Sequence, residues 1–288
     1  DEMLHYLAVM RTATEHGGEG WFGEVENAYR TAKTNVMTNK ALPYYGSTGS
    51  LDYFMGMACR KAQKVPQARE LFANVIRTGR NGKWFERADR AWKETDMLER
   101  ASAGDALGGA GQKIAKLDKL TRKHVAVLLV NEFGMAKLFA GRIPSSSGET
   151  GRPGIEPADI APDPFRAEII TVLTYRVRGL ECKYDEASGA YLFRPDATVT
   201  RADMALILED IIIKLTGNEG LATAYLGHSV SPFPDVRATS SVYNAVMLVT
   251  TRGIMEPELS GSFRADSPIS GAEAILAIRA LRQRLYPG

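Results

Sequence analysis

The chain has 288 residues, enough to bury a sizeable core and to form two domains. Its 44% hydrophobic and 24% charged residues are ordinary for a globular protein, and 36 basic against 34 acidic side chains leave a net charge of +2. That balance excludes a global field drawing the chain to nucleic acid or an anionic membrane, and no apolar run approaches the roughly 18 residues needed to span a bilayer.

From residue 1 to about 100 the pattern is helical. Leu4, Leu7, Ala8 and Arg11 predict an amphipathic helix ending at His16-Gly17-Gly18, and Trp21, Val25, Ala28 and Ala32 predict a second running toward Leu42-Pro43. A turn is expected at Tyr45-Gly46-Ser47-Thr48-Gly49-Ser50. Next come Met55, Gly56 and Cys59 on one helix, then Val65-Pro66 opening another with Ala68, Phe72 and Val75, which ends at Thr78-Gly79. Small residues at Gly56 and Ala68 let two antiparallel helices approach closely while Phe72 fills the space beside them. In Met55, Gly56, Cys59, Ala68 and Phe72 the segment resembles a tetratricopeptide repeat, with Trp84, Ala88, Ala91 and Trp92 on a helix that caps the stack.

Residues 101–111 lack periodicity and read as a linker. Beyond them one pattern occurs three times: Ile114-x6-Thr121-Arg122-Lys123-His124, Phe193-x6-Thr200-Arg201-Ala202-Asp203 and Phe263-x6-Ser270-Gly271-Ala272-Glu273. Each has an apolar residue (Leu120, Val199, Ile269) just before the hydroxyl, and such recurrence predicts units sharing one core. Thr200 with Asp203 reads as an N-cap and capping box, and Ser270 with Glu273 keeps this logic. His124 stands at the reciprocal position of the first copy and is expected to break it. Gly141–Pro164 and Thr216–Pro234 read as long breaks, either ordered functional loops or partly disordered.

Arg122 and Arg201 follow their caps directly, where a cation opposes the helix dipole. Two readings stand side by side: a guanidinium that joins free helix-terminal amides in an anion site, or one that lies over its own repeat and pairs with a neighbouring acid. Gly271 replaces the arginine in the third copy, leaving any such site there weak or dead. The intervening segments also repeat: Asp159-Ile160 through Phe165, Ile169, Val172 and Gly179-Leu180 to Phe193, and Asp235-Val236 through Tyr243, Val246, Val249 and Gly253-Ile254 to Phe263. Each predicts a loop, a helix stopped by glycine, an extended piece and the next capped helix.

In these motifs residues 112–286 resemble the S-layer homology domain, with copies two and three complete and copy one present as its second half. The resemblance implies a pseudo-threefold module with a central helix bundle and short prongs, whose grooves hold anionic cell-wall polysaccharide or peptidoglycan. It nominates Arg122 and Arg201, supported by Thr121, Thr200 and Asp203, with Asp159 and Asp235 as secondary candidates. The family's prong tryptophan is missing, Phe165 and Tyr243 being the nearest aromatics.

Histidines 5, 16, 124 and 228 are scattered without partners at metal-ligand spacing, and Gly108-Gly109-x-Gly111 and Gly151-x-x-Gly154 lack the flanks of a phosphate loop. The acidic pairs Asp185-Glu186 and Glu209-Asp210 read as solvated surface, and Cys59 and Cys182 fall in different regions, so neither catalysis nor a disulfide is expected. The expected fold is mainly α: a tetratricopeptide-like stack over 1–100, a linker over 101–111, and the S-layer-like module over 112–288, with repeats at about 112–158 (partial), 159–232 and 233–286. The expected function is that of a non-enzymatic, exported cell-envelope protein without metal or cofactor. It would be periplasmic, outer-membrane associated or at the cell surface, with a lipid anchor ahead of Asp1 left open. It would anchor to wall polymer and offer its helical stack to a protein partner, the alternative being an adaptor in an envelope complex whose module contacts protein.

Overall fold

The computed structural model describes residues 2–38, 49–78, 83–103, 108–140 and 156–286, and the chain is mainly helical. It divides into two units, Asp1–Glu99 and Arg100–Gly288.

In the first unit α1 (Glu2–His16) ends where Gly17 turns at φ 69°. Its buried stripe is Met3, Leu7, Met10 and Ala13, while Leu4 is 44% exposed; the apolar face lies one position from the expected one, because Met3 rather than Leu4 continues the helical spacing of Leu7 and Met10. Along α2 (Trp21–Thr38), Val25, Ala28 and Ala32 are buried as their spacing predicts. The expected continuation to Leu42-Pro43 and the turn at 45–48 fall outside the described residues, whereas Gly49 and Ser50 open α3 (Gly49–Lys61) instead of belonging to that turn. Antiparallel to it runs α4 (Val65–Thr78), and a Cβ on Gly56 would come within 2.6 Å of the Phe72 ring. The glycine is there because the ring lies on its backbone. Burying Phe72 contributes about 1.5–3 kcal/mol, and truncating it to Ala would cost about 3–5 kcal/mol.

A polar lock joins α2, α3 and α4: the buried Asp52 carboxylate accepts from Tyr29 Oη (2.6 Å), Lys33 Nζ (3.0 Å) and Asn74 Nδ2 (3.1 Å). Burial, with Asp52 adding to it, pushes the Tyr29 phenol up to about 12. Trp84 packs on Tyr53 and Phe54 at 5.2 and 5.4 Å ahead of α5 (Phe85–Ser102), which is tied to α3 by the Arg60 and Glu94 ion pair at 2.5 Å.

The expected linker is helical at both ends, since α5 runs through Ser102 and α6 (Gly109–Ala115) begins at Gly109; residues 104–107 lie outside the described ones. The second unit continues with α7 (Arg122–Asn131), α8 (Met135–Phe139) and α9 (Arg166–Thr174), then the hairpin β1 (Lys183–Asp185) and β2 (Ala190–Leu192), then α10 (Arg201–Thr216), α11 (Tyr243–Thr251) and α12 (Gly271–Leu285). The three motif copies launch α7, α10 and α12, and the residues before their hydroxyls, Leu120, Val199 and Ile269, are buried. Their backbones close a cycle: Leu120 N donates to Ile269 O (2.9 Å), Ile269 N to Val199 O (3.1 Å), and Val199 N to Leu120 O (2.9 Å). Packing follows the same rotation, with α9 on α7, α11 on α10 and α6 on α12, so each motif helix is covered by the segment belonging to the next copy.

Several local expectations shift. His124 completes the first copy's capping box, because its Nδ1 accepts from Thr121 N at 3.2 Å. A neutral imidazole can accept as a carboxylate does, and burial, with Lys123 adding to it, holds His124 below its usual 6.5. In the third copy Ser270 Oγ accepts from Glu273 N (3.2 Å), but the Glu273 carboxylate does not return the bond; it is drawn to Arg201. Gly253 (φ 61°) ends α11 as expected, with Ile254 N donating to Val249 O (2.9 Å). At the end of α9 the left-handed residue is Arg176 (φ 48°), with Val177 N donating to Val172 O (3.2 Å), so Val177 rather than Leu180 corresponds to Ile254. The stretch 216–234 is ordered: a 3-10 turn at Glu219–Thr223 is held by Asn244, whose side chain donates to Leu221 O (2.8 Å) and accepts from Tyr225 N (2.8 Å). Asn244 also donates to Glu209, which is 2% exposed and paired with Arg178 at 2.9 Å, and so is a buried link between α10 and α11, not the solvated surface expected of the Glu209-Asp210 pair. Of the break at 141–164, residues 141–155, with Gly151-x-x-Gly154, fall outside the described ones. Cys59 and Cys182 are free thiols, and no described helix is long and apolar enough to cross a membrane.

Candidate functional site

The expected site residues gather at the junctions between consecutive copies. Thr121 and Thr200 are extended N-caps, so the arginine after each begins a helix and projects toward the next copy. Arg122 sends Nε to Phe193 O (2.7 Å), Nη1 to Gly179 O (2.6 Å) and Nη2 to Glu181 O (2.8 Å), and its guanidinium lies over the Phe193 ring at 4.6 Å. Arg201 repeats this on copy three, with Nε to Phe263 O (2.6 Å), Nη2 to Glu256 O (2.8 Å) and the Phe263 ring at 4.7 Å. The phenylalanine seven positions before each hydroxyl therefore supplies both a carbonyl and an aromatic face to the preceding copy's cation. Of the two expected readings, pairing with an acid holds for Arg201, which meets Glu273 of the next copy, but neither reading anticipated the carbonyl acceptors. Both arginines reach forward into the next copy's main chain, and no local sequence signal marks a carbonyl acceptor.

The sites differ in charge. Arg201 is 6% exposed and forms an ion pair with Glu273. Burial, with Arg264 adding to it, pulls its guanidinium down to about 10, still charged at neutral pH. Arg122 is half-buried, and burial lowers its pKa against the pull of Glu181. Among the described residues no carboxylate forms an ion pair with Arg122, since Glu181 turns its own carboxylate onto Gly179 N (2.8 Å). Arg122 is thus a cation held by neutral carbonyls, with two of its five N–H donors without a partner among the described residues. At the third junction a Cβ on Gly271 would meet Ile114 C at 2.6 Å and Ala115 Cα at 3.1 Å, because the end of α6 fills the place that an arginine would need.

Asp159 and Asp235 do equivalent work one step away. Asp159 accepts from Phe193 N (2.9 Å) and Arg194 N (2.6 Å), and Asp235 from Phe263 N (2.8 Å) and Ala265 N (3.1 Å). Arg194, itself one of these donors, and Arg264, which lies between Phe263 and Ala265, sit at φ 57° and 56°, a left-handed conformation that a non-glycine residue keeps only when its surroundings hold it. Burial opposes ionisation of Asp235, but the amides of Ala265 and Phe263 outweigh it and hold the carboxyl below its usual value. Asp203 is occupied by its capping box, accepting from Thr200 N (2.9 Å) and Thr200 Oγ1 (2.7 Å). Of the nominated residues, Thr121, Thr200, Asp203, Asp159 and Asp235 hold backbone, Arg201 is sealed, and Arg122 alone of these has N–H donors without a partner among the described residues.

Comparison with curated proteins and with solved structures yields no match. Residues 232–275, which carry Asp235, α11 and the third motif, match the S-layer homology domain, a family that binds cell-wall polymers, and the chain is thereby associated at that level with the cell envelope.

Proposed function

We propose that this chain is a non-enzymatic cell-envelope protein whose residues 112–286 form a pseudo-threefold S-layer homology module that holds an anionic wall polymer or peptidoglycan. The tetratricopeptide-like stack over residues 1–100 presents a surface to a protein partner. The observation that carries the reading is Arg122, a half-buried guanidinium fixed by three carbonyls and paired with no carboxylate among the described residues, within a cycle of repeats whose last copy matches a wall-binding family. A carboxylate or phosphate substituent would complete it with charge-assisted bonds. Arg201, neutralised by Glu273, serves as a clamp between copies.

The competing reading, an adaptor whose module contacts protein, draws on the same junctions: Arg201 is closed and Gly271 has given its place to α6. Cosedimentation with isolated cell-wall sacculi separates the two. The wild-type chain should pellet with sacculi, salt should weaken the association, and Arg122→Ala should weaken it without unfolding the chain. Failure of the wild type to pellet sinks wall anchoring. Equal pelleting by the Arg122→Ala variant removes the arginine from the site.

A further inference from the structure

Copy two carries something that the motif does not require. Fifteen residues lie between Val177 and Phe193, whereas eight lie between the corresponding Ile254 and Phe263, and the seven extra residues make room for the hairpin β1–β2. Its register sets Tyr184 directly opposite Tyr191, so both rings rise from one face. They are 57% and 40% exposed and meet edge to face with centroids 5.4 Å apart. In the same unit Phe133, Phe139, Phe193, Tyr243 and Phe263 are fully buried. The tyrosine pair adds little to the core.

The hairpin is nevertheless fixed in place. Asp185 Oδ2 accepts from Ser188 N (3.0 Å) and Ser188 Oγ (2.8 Å), Arg194 Nη2 donates to Asp185 Oδ1 (3.0 Å), and Ala158 N donates to Tyr191 O (3.0 Å). Its base is the place where Arg122 binds, since the carbonyls of Glu181 and Phe193 flank the ends of the two strands. Three residues lead from Glu181 to Tyr184, so at about 3.3 Å each the backbone of Tyr184 lies within about 10 Å of that of Glu181, whose carbonyl holds Arg122. Two exposed rings at a preset angle, on a hairpin whose base holds a cation that pairs with no described carboxylate, fit a ligand with a flat C–H face and a nearby negative substituent. A pyranose chain bearing carboxylates or phosphates has both.

We propose that Tyr184 and Tyr191 form a stacking wall for a sugar ring of an acidic glycan whose charged substituent sits at Arg122. The proposal rests on the wall-anchoring reading and adds a recognition element outside the matched segment 232–275. The test is cosedimentation of the full chain with sacculi that are untreated, protease-treated, or stripped of linked anionic polymer with hydrofluoric acid. Tyr184→Ala/Tyr191→Ala is compared with Tyr184→Phe/Tyr191→Phe, and circular dichroism checks the fold of each. The alanine pair should weaken binding to untreated sacculi by about tenfold, while the phenylalanine pair, which keeps the ring faces, binds like wild type. Acid-stripped sacculi should bind wild type and Arg122→Ala equally weakly. If wild type pellets and the alanine pair pellets equally well, the stacking wall is wrong and anchoring stands. Loss of binding on protease treatment would identify a protein ligand and overturn the glycan, and failure of wild type to pellet at all would overturn both readings.

Discussion

Gly271→Ala tests whether the third arginine is missing because the backbone of the first copy stands in its place. By intrinsic preference the change should help, since alanine in a helix is favoured over glycine by up to about 1 kcal/mol. The structure reverses the sign. The new Cβ would lie 2.6 Å from Ile114 C and 3.1 Å from Ala115 Cα, and main chain cannot rotate aside as a side-chain tip can. To admit it, the end of α6 must move off α12, straining Gly271 N to Leu117 O (2.8 Å) and Leu120 N to Ile269 O (2.9 Å), the second being a member of the closed cycle. Overpacking of about 1–3 kcal/mol plus about 0.5–1.5 kcal/mol for each of the two weakened bonds, less a helix gain of about 1 kcal/mol, leaves a net destabilisation of about 1–5 kcal/mol. For a unit of this size that is roughly 2–20 °C of melting temperature. Calorimetry of the full chain, with hydrogen exchange at the amides of Leu120 and residue 271 to assign the transition, reads it directly. Gly109→Ala is the control, because a Cβ there meets nothing within 4 Å. A Gly271→Ala protein that melts at or above the wild-type temperature refutes the close-approach explanation.

The two arginines should separate by what each leaves behind. Arg201→Ala strands a Glu273 carboxylate that is 14% exposed and should cost about 3–5 kcal/mol, whereas Arg122→Ala abandons only carbonyls and should cost about 1–3 kcal/mol; urea midpoints in the reverse order would contradict the charge assignment. His124 has its pKa lowered from 6.5, so the folded state binds fewer protons than the unfolded one around that pH. Its contribution is complete above about pH 6.5 and is lost as pH falls through that value toward the lower folded pKa; His124→Gln, which keeps an acceptor for Thr121 N, should flatten this limb of the stability curve, and equal slopes would remove the histidine from the cap. Asp235→Ala frees the amides of Phe263 and Ala265 and leaves Arg264 unsupported at φ 56°, a loss of about 1–3 kcal/mol that should appear as faster exchange at those two amides, with unchanged exchange counting against the clamp.

What the sequence made legible was local. The hydroxyls at Thr121, Thr200 and Ser270 mark helix starts because an N-cap is decided within three residues, and the apolar positions before them mark the core because burial imposes spacing. What stayed hidden depends on distant partners. Gly271 reads as a lost arginine until α6, more than 150 residues earlier in the chain, is seen against it. Glu273 reads as half of a capping box, yet a buried guanidinium from copy two outbids the amide of its own N-cap. Arg176 gives no hint of a left-handed turn, for glycine is the usual signal there. The tyrosines of β1 and β2 carry no motif, and their meaning comes from a register that pairs them and an insertion that lifts them out.

The cycle through Leu120, Val199 and Ile269 fixes how many copies this unit can have. A stack of helical pairs grows by adding one more pair to an open end, but a ring in which each amide already has its acceptor offers no end at which a fourth copy could join. Copy number is therefore inherited as a whole. The order of the copies along the chain, by contrast, is indifferent to the ring: a gene opening at copy two and closing with copy one would code for the same cycle. Among the described residues, the short α6 packed on α12 marks the place where this chain opens the cycle.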